Sequence, residues 1–303
     1  MNIIETTGLS HRYWRKEAVH DLTLAVPAGS VFALLGPNGA GKTTTIKMLM
    51  NLLPPTRGEA RVLGVESRRL GPREFAQIGY VSENQQLPLW MTVRQLLDYC
   101  RPFYPTWDRA LEGVLLAQFD LPPERKLKHL SRGMRMKANL LSSLAYRPKL
   151  LVLDEPFSGL DPLVRDEFVR GLLEVSELGE WSVFISSHDI EEVERLSDTI
   201  GLLEEGRLQF SETTEALLGR FRRMEVSLNG GTAPLAAPPG WLELEQQGER
   251  VRFIDTHYDR EATERACRER FPQAAVTAQP MTLREIFVTL ARAHRGQSRG
   301  AAA

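Results

Sequence analysis

The sequence predicts an α/β fold in several parts. A parallel sheet with crossover helices carries an antiparallel β subdomain ahead of it and an inserted helical subdomain within it, and a small α+β domain follows at the C-terminus. Three observations carry this reading. The strand-like run VFALL at 31–35 leads straight into the glycine-rich stretch Gly36–Gly41 and then into helical spacing from Lys42. KLLVLDEP and WSVFISSHD are continuous apolar runs ending in polar residues, the pattern of strands buried on both faces of a parallel sheet. Turn formers concentrate in NGGTAPLAAPPG at 229–240 and separate these runs from a region of shorter strands and helices.

Taken in order, residues 1–35 read as the short strands IIET, LTLAV and VFALL, separated by the polar patch SHRYWRKE and a turn at 27–30. From Lys42 the apolar residues Ile46, Met48, Leu49 and Leu52 follow helical spacing, which stops at Pro54-Pro55. ARVLG and IGYVS are strands flanking a charged connection, and 92–146 is a helical region interrupted by the aromatic segment FYPTW. A helix over about 162–178 links the two apolar strands, and TIGLLEEGRLQF reads as a hairpin over Glu205-Gly206. The main domain is expected to span 1–220. Strands MEVSL, LELEQQ, RVRFID and AAVTA, with helices over 259–270 and in TLREIFVTLARA, make a second domain at 221–292. Residues 293–303 are expected to be a disordered tail.

A chain of 303 residues exceeds the usual ceiling for one core, which fits two domains. With 42% hydrophobic and 25% charged residues, disordered, fibrous and membrane-embedded classes are excluded. The 38 basic and 39 acidic residues nearly cancel, so no nucleic-acid partner is expected from global charge. Cys100 and Cys267 have neither metal-binding spacing nor a disulfide framework, which suits a reducing cytoplasmic setting. No export leader and no run of about 18 apolar residues is found, so the chain is expected neither to be exported nor to span a membrane.

The chemistry begins at Gly36-Pro37-Asn38-Gly39-Ala40-Gly41-Lys42-Thr43, which matches GxxxxGK[ST] between a strand and a helix. Glycines let the backbone curl so that several N–H groups face one anion, and the helix N-terminus adds its positive dipole end. Lys42 would reach the β- and γ-phosphates, and the Thr43 hydroxyl would reach Mg²⁺. Asp154 and Glu155 close the strand LLVLDE, where a phosphate-loop protein holds its metal-organising aspartate. Glu155 is the candidate base for the water that attacks the γ-phosphate. The bland alternative is a pair of acids capping the next helix. His188, at the end of another apolar strand, is a candidate γ-phosphate contact only because of that position.

These motifs, with Ser158-Gly159-Leu160-Asp161 directly after LDEP, resemble the ATP-binding cassette ATPases over residues 1–220. The resemblance implies a P-loop NTPase cassette whose ATP lies between two subunits, the phosphate loop of one meeting the signature sequence of the other. Tyr13 then matches the aromatic that stacks on adenine, with Trp14 a weaker choice, and Gly36 to Thr44 match the Walker A loop. Asp154 and Glu155 match Walker B, Asp161 lies in the loop that crosses the dimer interface, and His188 matches the switch histidine. Two positions depart from the family pattern. Glu83 stands where the family has a glutamine that touches Mg²⁺, and Leu130-Ser131-Arg132-Gly133-Met134 replaces LSGGQ. Ser131 and Gly133, which suit an incoming γ-phosphate at a helix N-terminus, are kept. Arg132 is open to two readings, a positive charge near the phosphates or a solvent-facing residue.

LSxGM after a segment like FYPTWD resembles a bacterial exporter-type subgroup whose membrane-spanning permease subunits are separate chains. The expected function is therefore an ATP-hydrolysing transporter subunit, paired with itself or with a paralogue and held at the inner face of the cell membrane by its permease. Leu87, Leu89, Trp90, Met91, Tyr99, Phe103 and Tyr104 are the candidate docking group, with local core as the alternative. A soluble cassette ATPase remodelling ribosomes or DNA is the competing reading, and it usually carries two cassettes or a long coiled-coil insertion. A phosphate-loop kinase would leave LSRGM and SGLD unexplained.

Overall fold

The computed structural model describes residues 1–177, 181–228, 237–272 and 274–300. Most of the turn-forming stretch at 229–240, and residues 301–303 of the expected tail, lie outside the described residues. The chain divides into two units, Met1–Ser211 and Glu212–Ala303.

The first unit opens with β1 (Asn2–Tyr13), β2 (Lys16–Pro27), β3 (Val31–Leu35), α1 (Lys42–Leu49), β4 (Arg57–Val62), β5 (Val65–Glu66), α2 (Pro72–Phe75) and β6 (Ile78–Ser82). The inserted helices are α3 (Val93–Cys100), α4 (Arg109–Gln118) and α5 (Arg132–Leu144). Then come β7 (Leu150–Asp154), α6 (Pro162–Glu177), β8 (Ser182–Ser187), α7 (Ile190–Glu194), β9 (Thr199–Glu204) and β10 (Arg207–Thr213).

Strands β2-β1-β4-β5 form an antiparallel sheet. The patch SHRYWRKE, expected to separate strands, is itself mostly strand: only Trp14-Arg15 turns, with Trp14 at φ 51°. An exposed hairpin tip has no face to bury, so hydrophobic alternation carried no signal there.

The second sheet has the order β10-β9-β3-β8-β7-β6. Its strands β6, β7, β8, β3 and β9 are parallel neighbours. The hairpin from β9 to β10 turns on Glu205 and Gly206, both at positive φ, as the favoured two-residue turn requires. Successive strand residues enter different cores. Leu151, Leu153, Val183 and Ile185 pack toward the inserted helices, while Leu150, Val152, Phe184 and Phe32 pack toward α1 and the antiparallel sheet. This two-sided burial is why the runs read as continuously apolar rather than alternating. Each such side chain contributes about 1.5–3 kcal/mol of burial.

The inserted helices are bounded by their own caps. Thr92 accepts from Gln95 N while the Gln95 side chain accepts from Thr92 N. Asp108 caps α4, and Ser131 caps α5 by accepting from Met134 N. The aromatic interruption fastens this region to the sheet: Tyr104 stacks on Tyr146 at 3.7 Å between centroids, and the Tyr146 hydroxyl donates to Ile78 O at 2.8 Å.

The second unit contains α8 (Thr214–Arg220), β11 (Arg222–Ser227), β12 (Trp241–Gln247), β13 (Arg250–Asp255), α9 (Arg260–Arg270), β14 (Ala275–Pro280) and α10 (Leu283–Gly300). Its antiparallel sheet has the order β12-β13-β11-β14. The boundary falls ahead of residue 220 because α8 belongs here: Arg220 Nη1 donates to Thr256 O at 2.8 Å, and Arg220 O accepts from Tyr258 N at 2.9 Å. Helix α10 runs to Gly300, through part of the segment 293–303 expected as a tail. No proline interrupts 283–293, and Ala291, Arg292 and Ala293 favour propagation of a helix already begun.

Candidate functional site

Register brings the motifs to one place. Leu35 pairs with Ser187, Ser186 with Asp154, and Asp154 with Ser82, so the C-terminal ends of β3, β8, β7 and β6 lie side by side. The segments leaving those ends are Gly36–Gly41, His188, Glu155 and Glu83. In an open parallel sheet this edge is where ligands bind.

The loop curls between strand and helix. Gly41, the residue before α1, has φ 107°, and a Cβ there would overlap the Ala18 carbonyl, so only glycine fits. Ala40 N donates to Pro37 O at 3.1 Å. Lys42 is 5% exposed, and its Nζ donates to Gly36 O at 2.6 Å and Pro37 O at 3.2 Å. It also lies 3.0 Å from Glu155 Oε1. That oxygen accepts no hydrogen bond among the described residues, so the contact is an ion pair without hydrogen-bond geometry.

Asp154 is 4% exposed and is held by two hydroxyls: Ser186 Oγ donates to Oδ1 at 2.6 Å and Thr43 Oγ1 donates to the same oxygen at 3.1 Å. Burial is the largest influence on its carboxyl and raises its pKa, against the lowering by these hydroxyls. Glu155 follows at φ 52°, a left-handed conformation that costs a non-glycine residue about 1–2 kcal/mol. Its amide donates to Ser186 O at 3.2 Å, and its Oε2 lies 2.7 Å from His188 Nδ1. A carboxylate oxygen only accepts, so Nδ1 carries the proton in this contact.

One cavity of about 480 Å³, within the usual size of small-molecule sites, is lined by Tyr13, Asn38, Gly39, Gly41, Lys42, Thr43, Thr44, Glu83, Asp154 and Glu155. Gly36, Pro37 and Ala40 complete the loop beside it, and His188 joins through Glu155. Tyr13 is 42% exposed and set edge-on to His11, whereas Trp14 is 99% exposed and does not line the cavity. A larger cavity of about 950 Å³, among Met1, Val31, Trp181 and Asp198, lies toward the start of β3 and β8 and holds none of the motif residues.

Ser131, Gly133 and Asp161 are not brought to this cavity. Ser131 caps α5, and the Asp161 carboxylate accepts from Val164 N at 3.0 Å in the first turn of α6. Gly133 is buried so closely that a Cβ would overlap Val164 Cγ1. Glu83 lines the cavity, but its carboxylate accepts from Arg132 Nη2 at 2.6 Å. Opposite charge draws Arg132 to its own chain's Glu83, while its side chain stays 47% exposed. Ser186 had no assigned role from sequence, and the pairing of Arg132 with Glu83 was not among the readings of Arg132. A serine at the end of a fully apolar strand was the available signal for the first, because a buried hydroxyl needs a partner.

A glycine loop around a buried lysine, set against a hydroxyl-held aspartate and a glutamate–histidine pair, is the arrangement of a phosphate-loop ATPase. The chain belongs to the ATP-binding subunits of ABC transporters. The ABC transporter family model matches residues 19–158. An uncharacterized ABC transporter ATP-binding protein of Synechocystis is 33% identical over 76% of this chain and 68% of its own. The Nod factor export ATP-binding protein I of Neorhizobium galegae is 30% identical over 95% of this chain and 84% of its own. The bacitracin transport ATP-binding protein BcrA of Enterococcus faecalis is 31% identical over 68% of each. Among solved structures, an ATP-binding subunit of an ABC transporter superposes with a TM-score of 0.64 at 29% identity, covering 71% of this chain and 91% of that one. The protein is an ATP-binding and ATP-hydrolysing subunit of a transporter, and no described helix is long and apolar enough to cross a membrane.

Proposed function

We propose that the cavity is the ATP site and that its residues act as their positions suggest. The observation that carries this is the meeting of Thr43 Oγ1 with Asp154 Oδ1 at 3.1 Å, which joins the phosphate loop to the carboxylate strand. The donor set is oxygen alone, the Thr43 hydroxyl in contact with the Asp154 carboxylate. This suits Mg²⁺, which takes one or two carboxylates and fills its other positions with phosphate oxygens and water. Thr43 and Asp154 would hold it, with Glu83 as the third candidate. Held there, the cation would supply positive charge that offsets the negative charge developing on the terminal phosphate.

The chain's own groups do the rest. Lys42 and the loop amides carry phosphate charge, and Tyr13 offers its ring to the adenine. Glu155 takes the proton of the attacking water, and His188 orients Glu155 or contacts the γ-phosphate. Ser131, Gly133 and Asp161 lie away from their own chain's cavity, so their contribution falls to a second subunit's nucleotide across a face-to-face dimer.

The membrane partner would be a separate permease, reached through the side chains beyond Glu83. Leu87 and Met91 pack on the core and Tyr104 on Tyr146, while Leu89, Trp90, Tyr99 and Phe103 stay exposed. A relative named for Nod factor export supports export as the direction. Calorimetry of Mg·ATP binding tests the site: Lys42→Ala should abolish measurable affinity, and a variant that binds like the parent removes this reading.

A further inference from the structure

The two positions that depart from the family pattern, Glu83 and Arg132, are bonded to one another across 49 residues of sequence. Glu83 stands in the wall between two cavities. On one side are the phosphate loop, Asp154 and Glu155. On the other is a cleft of about 540 Å³ whose lining includes Leu87, Leu89, Arg132 and Asn139. The Glu83 backbone is fixed to the sheet, its N–H donating to Asp154 O at 3.1 Å. Only the side chain is left to turn, and Arg132 holds it toward the second cavity. Arg132 is the first residue of α5, and its guanidinium lies so close to Gly159 that a Cβ there would overlap Nη1. One arginine thus joins the start of α5 to the segments that follow β6 and β7.

We propose that Glu83 is a two-position switch: its carboxylate is shared, in competition, between Arg132 and the divalent cation of the nucleotide site. Binding of Mg·ATP would draw Glu83 toward Thr43 and Asp154 and free Arg132, loosening α5 from the sheet. The negative charge of glutamate strengthens its contact with either the guanidinium or the cation relative to a neutral glutamine. The pair is half exposed at Arg132, so it biases the equilibrium by about two- to fivefold, weak enough for a divalent cation to overcome. The switch rests on the reading of Glu83 as a metal-site residue, and its test separates the two.

Mg²⁺ is titrated by calorimetry into the full chain saturated with a non-hydrolysable ATP analogue. Arg132→Gln should tighten Mg²⁺ binding about two- to fivefold, because Glu83 is no longer held away; a general packing defect would not produce a gain. Arg132→Lys, which keeps the charge, should stay near the parent. Glu83→Ala, which removes the oxygen ligand altogether, should weaken Mg²⁺ binding and make the Arg132 substitution silent. An Arg132→Gln variant with unchanged or weaker Mg²⁺ affinity overturns the switch and leaves the metal assignment of Glu83 standing. If Glu83→Ala binds Mg²⁺ like the parent, both fail.

Discussion

His188 Nδ1 lies 2.7 Å from Glu155 Oε2, and the other oxygen of that carboxylate lies 3.0 Å from Lys42 Nζ. The proposed base is therefore held at both oxygens by groups from two different strand ends. The left-handed backbone of Glu155 is part of the arrangement, because it turns the residue out of the strand direction immediately after Asp154.

If Glu155 is the base, Glu155→Gln should lower ATP hydrolysis on the order of 10²–10⁴-fold while ATP still binds, since an amide keeps the shape and loses the proton acceptor. Phosphate release measures the first effect. Gel filtration with ATP should show a trapped dimer. Hydrolysis at the parent rate would end the assignment.

Asp154 carries a prediction with a pH sign. Its folded pKa is raised above the ordinary 3.8, chiefly by burial. Such a group contributes stability that is fully present below the unfolded value and lost as pH rises through the folded one. At neutral pH the buried charge is thus a liability. Asp154→Asn should raise the thermal midpoint of the protein without nucleotide, with a gain that grows from acid to neutral pH, and should remove Mg²⁺-dependent ATP binding. Thermal melts across that range check the sign, and a lower midpoint at pH 7 would contradict it.

Gly133 has a role within its own chain. Adding a methyl there meets Val164, a β-branched side chain with little freedom to turn away. Gly133→Ala should cost about 1–3 kcal/mol in denaturant unfolding. Val164→Ala in the same chain should restore most of it. A double variant no more stable than the single would mean that the loss arises elsewhere.

Replacing Leu89 and Trp90 with serine should release the subunit from its permease while leaving ATP affinity unchanged. Both side chains are largely exposed, at 49% and 67%, so little core packing is lost with them. Unchanged copurification with the permease would remove this surface as the docking site.

The sequence by itself determined the strand, loop and helix around Lys42, the carboxylate pair after β7, and the two-faced burial of the parallel strands. Each is a local pattern: glycine spacing, a run of apolar residues, a polar residue at its end. It also placed a helix start at Ser131, since a cap and its helix are neighbours in the chain. Tertiary structure decided what local pattern cannot carry. The aromatic group after Glu83 read as one patch, yet Tyr104 stacks on Tyr146 from the far end of α5 while Trp90 stays exposed. Ser186 acquired its role only when parallel register set it opposite Asp154. The join of Arg132 to Glu83 depends on β6 and α5 being packed together, so the two departures from the family pattern looked independent in the sequence and are one ion pair in the fold.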